Sequence, residues 1–186
     1  MGFFNFFDRF RASTSDRSPW GDFYFEPVSA RSISGMRVSA DSAMRLAAVY
    51  ACVRILSETM ASLPLVVYRP RKDGGKDRVT DHWLYQLLGK RPNRYQNPFE
   101  WREMLQGHLA LRGNAFCQIL ANSRGEITEL IPIHPDRVRM ELLPSGDYRY
   151  RIRDQAGSEI VLPRGEVWHL KGLSSDGLIG LSPIDL

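Results

Sequence analysis

The hydrophobic period of the sequence changes near residue 115, and this change restricts the possible folds more than any other feature. Before it, apolar residues recur at helical spacing, and after it they alternate with polar ones. Turn-forming residues separate the alternating runs at regular intervals. The runs are AFCQIL, EITELIPI, RVRMELL, YRYRIRD, SEIVLP and EVWHL. Helices followed by antiparallel strands or hairpins predict an α+β fold.

The longest helical pattern is SADSAMRLAAVYACVRILSETMASLP, and it predicts one helix from Ser39 to Leu63 that ends before Pro64. Its apolar residues occupy more than one side, so we expect neighbouring elements to cover it widely. Cys52 lies on the apolar stripe, which favours a packed thiol over a nucleophile.

Two short patterns follow this helix. PLVVYRP and RKDGGKDRV predict a strand and a hairpin turn in which Gly74 and Gly75 supply positive φ. TDHWLYQLLG predicts a short helix that Thr80 or Asp81 caps.

The segment NPFEWREMLQGHLALRGN has the strongest local helix signature in the chain. Asn97 is expected at the N-cap and Pro98 at the first helical position. Glu100 is spaced to complete a capping box with Asn97, and Gly113 is placed to end the helix.

Residues 1–38 are interpreted as a flexible N-terminal arm, and residues 39–186 as the globular domain. The arm begins MGFFNFFDRFRAS and continues into a polar, breaker-rich stretch. Its phenylalanines fit either a membrane-surface helix or aromatic docking on the chain's own body or a neighbouring subunit. Docking is favoured because few basic residues accompany the apolar side.

The composition is that of an ordinary globular protein. With 186 residues, 43% of them hydrophobic and 25% charged, the chain is long enough for one domain with a real core. No apolar run reaches the length of a membrane span. Two cysteines do not indicate a disulfide framework, so a reducing cytoplasm is expected. The net charge of +4 permits acidic partners without requiring nucleic acid.

The sequence has no recognisable catalytic constellation. It lacks the phosphate-binding, dinucleotide-binding and nucleophile-elbow motifs. Its four histidines, His82, His108, His134 and His169, are isolated along the sequence from one another and from both cysteines. We interpret His108 and His169 as packed or half-buried residues and His134 as a turn residue. We therefore expect no catalytic residue, cofactor or metal, and no enzymatic activity.

One polar pattern, YRYRIRD, suggests an interaction surface. Strand alternation places Arg149, Arg151 and Arg153 on one side and the two tyrosines on the other. Arg137 and Arg139 are near in sequence and could extend a basic sheet face. Such a face could contact an acidic partner, either a neighbouring subunit or a phosphate backbone, although a solvated outer face is favoured. A small α+β adaptor or nucleic-acid-binding module using this face is the alternative function.

From Ser39 to Leu186 the sequence resembles the portal proteins of tailed double-stranded DNA bacteriophages. The resemblance rests on the helix and strand of SADSAMRLAAVYACVRILSETMASLPLVVYR and on four later segments in the same order. These are DHWLYQLLGKRPNRYQNPFEWREMLQGHLALRGNAF, LIPIHPDRVRM, EVWHLKG and GLIGLSPID. The resemblance implies that residues 39–186 form an α+β domain like the wing of a portal subunit.

The resemblance also implies a structural role in the virion. Portal proteins form a dodecameric ring at one capsid vertex, after assembly in the host cytoplasm. The ring anchors the terminase, passes DNA during packaging and ejection, and binds head–tail connectors. The implied partners are therefore other portal subunits, terminase, capsid and connector proteins, and double-stranded DNA, with no membrane.

The sequence stops where a further helix is expected. Ser182 and Pro183 have the residue types of an N-cap and a first helical position. In the family the chain continues into stem and clip elements, so this chain is expected to be a portion truncated before them. Channel-lining residues cannot be transferred to it. Alone, it is expected to be marginally stable and to self-associate without closing a ring.

Overall fold

In the computed structural model, which describes residues 39–154 and 157–184, the helices precede most of the strands. The helices are α1 (Ala40–Ala43), α2 (Ala47–Ser62), α3 (Trp83–Gly89) and α4 (Pro98–Arg112). The strands are β1 (Tyr68–Pro70), β2 (Lys76–Arg78), β3 (Asn114–Ala121), β4 (Ile127–Ile133), β5 (Val138–Leu142), β6 (Tyr148–Arg153), β7 (Glu159–Pro163) and β8 (Val167–Lys171). All strand pairs are antiparallel, which confirms the predicted α+β class.

The predicted helix at Ser39–Leu63 is divided in two. Ser39 and Ser42 form a reciprocal capping box that closes the single turn of α1. The next amides bond back only three residues, from Arg45 to Ser42 and from Leu46 to Ala43. Leu46 then takes an extended backbone conformation as the N-cap of α2. The expectation of one continuous helix was wrong, because the backbone tightens at Arg45 and Leu46 and the helix starts again only after the extended Leu46.

Helix α4 begins and ends as the sequence predicted. The Asn97 side chain accepts a hydrogen bond from the Glu100 amide at 2.9 Å, and Glu100 accepts one from the Asn97 amide at 3.0 Å. Pro98 is the first helical residue, where it needs no donor. Gly113 ends the helix with φ of +67°, a conformation that only glycine adopts readily. The prediction is confirmed at both ends.

Two local predictions between these helices needed correction. The hairpin of β1 and β2 is present, but only Gly74 of the two turn glycines has a positive φ. Helix α3 is capped by His82, whose Nδ1 accepts a hydrogen bond from the Leu84 amide at 3.2 Å. Neither Thr80 nor Asp81 is the N-cap, because the chain enters the helix one residue later than expected.

The later strands form two antiparallel sheets of three strands. The first sheet has the order β4-β3-β8, and the second has the order β5-β6-β7. Strand β3 lies in the centre of the first sheet, and its side chains alternate between two cores. Ala115 and Cys117 face one core, whereas Phe116 faces the other.

The two cores define the order of the layers. Trp101 and Leu105 of α4 pack with Ala115 and Cys117 of the first sheet. On its opposite side, the first sheet packs against the second through a cluster of buried side chains: Phe116, Ile133, Met140, Tyr150, Ile152, Leu162 and Val167. Helix α2 contacts α4 on the outside. The order is therefore α2, α4, first sheet and second sheet, with α2 and the second sheet outermost.

The chain after β8 crosses the end of α4. Ser182 donates a hydrogen bond to the Leu111 carbonyl at 3.1 Å, and residues 183–184 form a turn. The remainder of the expected helix, and the predicted arm at residues 1–38, lie outside the described residues. Among the described helices, none combines the length and the hydropathy needed to cross a bilayer.

Candidate functional site

Strands β5 and β6 present the arginines that the sequence singled out. Tyr150 and Ile152 lie in the core between the sheets, so the intervening arginines of β6 lie on the outer side of the second sheet. Met140 is also in that core, which places Arg139 of β5 on the same outer side. The predicted alternation is confirmed. We call the surface formed by Arg137, Arg139, Arg149, Arg151 and Arg153 the arginine face.

Two carboxylates from neighbouring strands pair with the arginines of β6. Glu141 accepts hydrogen bonds from Arg149 at 2.7 Å and from Arg151 at 3.0 Å. Glu159 lies 3.2 Å from Arg151 and 3.7 Å from Arg153. Hydrogen bonding to Arg149 is the main cause that keeps the pKa of Glu141 below its usual value. Because these side chains are partly exposed, solvent screens each pair, and the network positions the guanidinium groups more than it stabilises the fold.

Arg137 and Arg139 lie at the other end of the arginine face. The strand register places Arg139 directly opposite Arg151, so two like charges are neighbours. Arg137 donates to the backbone carbonyl of Arg153 at 2.7 Å. Within residues 39–154 and 157–184, neither Arg137 nor Arg139 has a carboxylate in an ion pair. A depression of about 210 Å³ here, the arginine pocket, is lined by Asp136, Arg137, Arg139, Arg151, Arg153, Asp154 and Glu159.

A buried chain of hydrogen bonds, the polar node, joins both sheets to the segment after β8. The Tyr150 hydroxyl lies 3.2 Å from Nδ1 of His169, and His169 Nε2 lies 3.0 Å from Oδ1 of Asn114. The Gly180 amide donates to the same Oδ1 at 2.7 Å, and Asn114 Nδ2 donates to the Gly180 carbonyl at 2.7 Å. Because Oδ1 only accepts, His169 carries its proton on Nε2 and Tyr150 donates to Nδ1. Burial lowers the pKa of His169 to about 4.

Glycines allow the backbones around the polar node to approach closely. The Gly172 amide donates to the Gly113 carbonyl at 2.8 Å. A Cβ atom at Gly113 would overlap the Leu181 carbonyl, and one at Gly180 would overlap the Gly113 carbonyl. The segment that follows β8 is thereby fixed against the end of α4.

The polar node gives a physical reason for three of the motifs that carried the family resemblance. RGNAF supplies Gly113 and Asn114, EVWHL supplies His169, and GLIGLSP supplies Gly180. The motifs alone do not indicate these contacts, because the three segments are far apart in the sequence. The available signal was an Asn directly after a helix-ending Gly, at a point where the chain enters a central strand.

His108 and His134 are in contact, although the sequence suggested that the histidines are isolated. Their ring centroids lie 5.4 Å apart in an edge-on arrangement. Burial, with a smaller effect from the charge of His134, lowers the pKa of His108 to about 4. Asp136 beside His134 is held by Arg112 through hydrogen bonds of 2.5 and 2.7 Å. No group of three or more potential metal ligands occurs within the described part of the chain.

The outer side of α2 is apolar and exposed. Only Ser57 and Ala61 of this helix are buried, and they lie toward α4. Four of its larger apolar residues are more than half exposed: Leu46, Ile55, Leu56 and the C-cap Leu63. The expected wide covering of this helix was wrong for the described residues, and Cys52 is exposed rather than packed. The reason is that α2 contacts the rest of the fold along one narrow side.

Comparison with known proteins gives a consistent set of relatives. The family model described as "Phage portal protein" matches residues 47–186. Protein BeeE of Escherichia coli (strain K12) is 37% identical over 121 residues, which cover 62% of this chain and 76% of BeeE. The portal protein of Enterobacteria phage HK97 is 32% identical over 161 residues, which cover 85% of this chain. The chain spans 37% of the length of that relative.

The fold is also similar to solved structures. A chain in the neck of an empty GTA particle, computed with C6 symmetry, superposes with a TM-score of 0.67 and 24% identity. The match covers 78% of this chain and 40% of that chain. At this identity the likeness concerns the fold, and it includes the layered helices and antiparallel sheets described above.

Proposed function

Because the chain belongs to the phage portal protein family, we propose that it is a structural, non-enzymatic component of a virion portal. The observation that carries this proposal is the family match from residue 47 to residue 186, which includes both sheets and α4. The proposed role is to form a ring with other portal subunits at one capsid vertex. Double-stranded DNA would pass through this ring, while terminase, capsid and connector proteins would bind around it. Assembly would take place in the host cytoplasm.

The two outer layers support a ring-forming role. A closed ring requires that one surface of each subunit fit a different surface of the next. The exposed apolar side of α2 and the arginine face lie on opposite outer layers and differ in chemistry. We propose that the arginine face, formed by Arg137, Arg139, Arg149, Arg151 and Arg153, is one of the two subunit contacts. We also propose that residues 39–186 act as one wing-like unit.

The number of copies per particle tests this role. Particles are purified from cells that carry the gene, and quantitative mass spectrometry measures this chain relative to the main capsid subunit. A single portal ring predicts about a dozen copies per particle, a small fraction of the capsid subunits. Equal amounts of the two proteins, or absence of this chain from purified particles, would contradict the proposal.

An adaptor or nucleic-acid-binding module is less well supported. Glu141 and Glu159 already neutralise part of the arginine face. Binding to a phosphate backbone gains most from a surface with many uncompensated cations. The alternation of arginines and carboxylates on this face is better suited to a protein partner, whose own surface has both signs of charge.

A further inference from the structure

The arginine face divides into two ends with different charge balance. At one end, Arg149 lies opposite Glu141 across the strand pair, and the two groups form a hydrogen bond of 2.7 Å. At the other end, Arg139 lies opposite Arg151, and Arg137 lies beside Arg153. Like charges directly opposite each other destabilise a sheet. At the second end Glu141 and Glu159 pair with Arg151 and Arg153, whereas Arg137 and Arg139 have no ion-paired carboxylate among residues 39–154 and 157–184.

The carboxylates around the arginine pocket are already occupied. Glu159 contacts Arg151 and Arg153, while Asp136 is held by two hydrogen bonds from Arg112. Asp154 accepts the Ser158 amide through its side chain at 3.1 Å. Within the part of the chain that the structure describes, no group accepts a hydrogen bond from the exposed guanidinium of Arg139, so its donors can bind another group.

The size and net charge of the arginine pocket indicate what can bind there. Its volume of about 210 Å³ is large enough for a carboxylate with several waters. Four arginines and three acids line it, so the net formal charge is 4 − 3 = +1. This small excess can be balanced by one carboxylate, whereas a nucleic acid backbone brings several neighbouring phosphates, which a net charge of +1 does not balance.

We infer that the arginine pocket binds a carboxylate side chain of a second copy of this chain. The inference rests on the proposed ring-forming function and identifies which part of the arginine face makes the contact. Arginine is suited to this contact because its planar group can bind both carboxylate oxygens at once. The partner carboxylate offsets the repulsion between the like charges at this end. Because it must reach the pocket to do so, the contact favours one orientation of the neighbouring copy.

The test compares charge reversals at two exposed arginines. Arg139→Glu changes the pocket, whereas Arg124→Glu makes the same change in net charge in the exposed turn between β3 and β4. Self-association of the 186-residue chain is measured by sedimentation velocity. Arg139→Glu should lower the association constant at least about tenfold relative to Arg124→Glu, because a like charge then faces the incoming carboxylate. Arg139→Lys should give an intermediate value.

Three results would overturn the inference, and they differ in meaning. If the two Glu variants associate equally, the pocket is not part of the interface, and the proposed ring is not contradicted. A wild-type chain that stays monomeric at all concentrations would contradict the binding of a second copy at the pocket. Tight binding of double-stranded DNA that Arg139→Glu alone abolishes would instead assign the pocket to phosphate. Melting curves matching wild type establish that each variant is folded.

Discussion

Replacing Asn114 by Ala tests whether the polar node fixes the segment after β8. The change removes the acceptor for the Gly180 amide and His169, together with the donor to the Gly180 carbonyl. Asn114 is 8% exposed, so water replaces these partners poorly. Each buried polar group left without a partner costs about 1–3 kcal/mol. For the amide and the imidazole together, we expect a loss of about 3–5 kcal/mol in the free energy of unfolding.

The assay is urea unfolding of the wild type and two variants, combined with hydrogen exchange of the backbone amides. Asn97→Ala is the matched control, because it makes the same substitution at the N-cap of α4 and should cost only about 1 kcal/mol. Asn114→Ala should also expose the Gly180 amide to exchange, whereas Asn97→Ala should not. Equal losses in the two variants, with Gly180 still protected, would refute the assignment of the node.

Three further predictions follow from the same contacts. Gly113→Ala should lower the free energy of unfolding, measured in urea, by more than about 2 kcal/mol, because φ is +67° and a Cβ would overlap the Leu181 carbonyl. A change below about 1 kcal/mol would contradict the close approach of the two backbones. Burial lowers the pKa values of His108 and His169 to about 4, whereas a histidine in the unfolded chain has a pKa of about 6.5. Below this pH the unfolded chain therefore binds more protons than the folded chain. Stability should therefore fall as the pH drops from 7 to 5, by about 2 kcal/mol after allowance for partial exposure, and constant stability over that range would argue against neutral buried rings. Cys52 is exposed, whereas Cys117 is buried and its pKa is raised to about 12. A thiol reagent should therefore modify Cys52 quickly and Cys117 only on unfolding. Equal rates of modification would show that Cys117 is accessible.

Local sequence signals predicted local structure well. The capping box and Gly113 fixed the ends of α4, because each acts within a few residues of the helix end. The alternation of YRYRIRD likewise predicted which side of β6 is buried, since strand geometry leaves only two sides. The break before α2 was missed because the helical hydrophobic pattern continues through residues 44–46, where the backbone leaves the helix.

Contacts between distant segments could not be predicted in the same way. Asn114 and Gly180 are 66 residues apart in sequence, and neither residue type alone indicates the other. The carboxylates opposite the arginines depend on strand register, which the sequence pattern does not fix across separate hairpins. The exposed side of α2 was misjudged because hydrophobicity shows that a surface is apolar but does not show which element covers it. The domain boundary at residues 38 and 39 stays a prediction.

The location of this chain in the particle tests the central claim most directly. Antibodies against the arginine face or α2 would report accessibility as well as location, so a small epitope tag at the exposed Gly125 turn is preferable. Tagged particles are labelled with gold-coupled antibody and imaged by electron microscopy, after mild opening of the capsid. A portal subunit should give gold at a single vertex of each particle, coincident with the neck. Gold distributed over all vertices, or particles without label despite expression of the tagged chain, would contradict a role as a portal subunit.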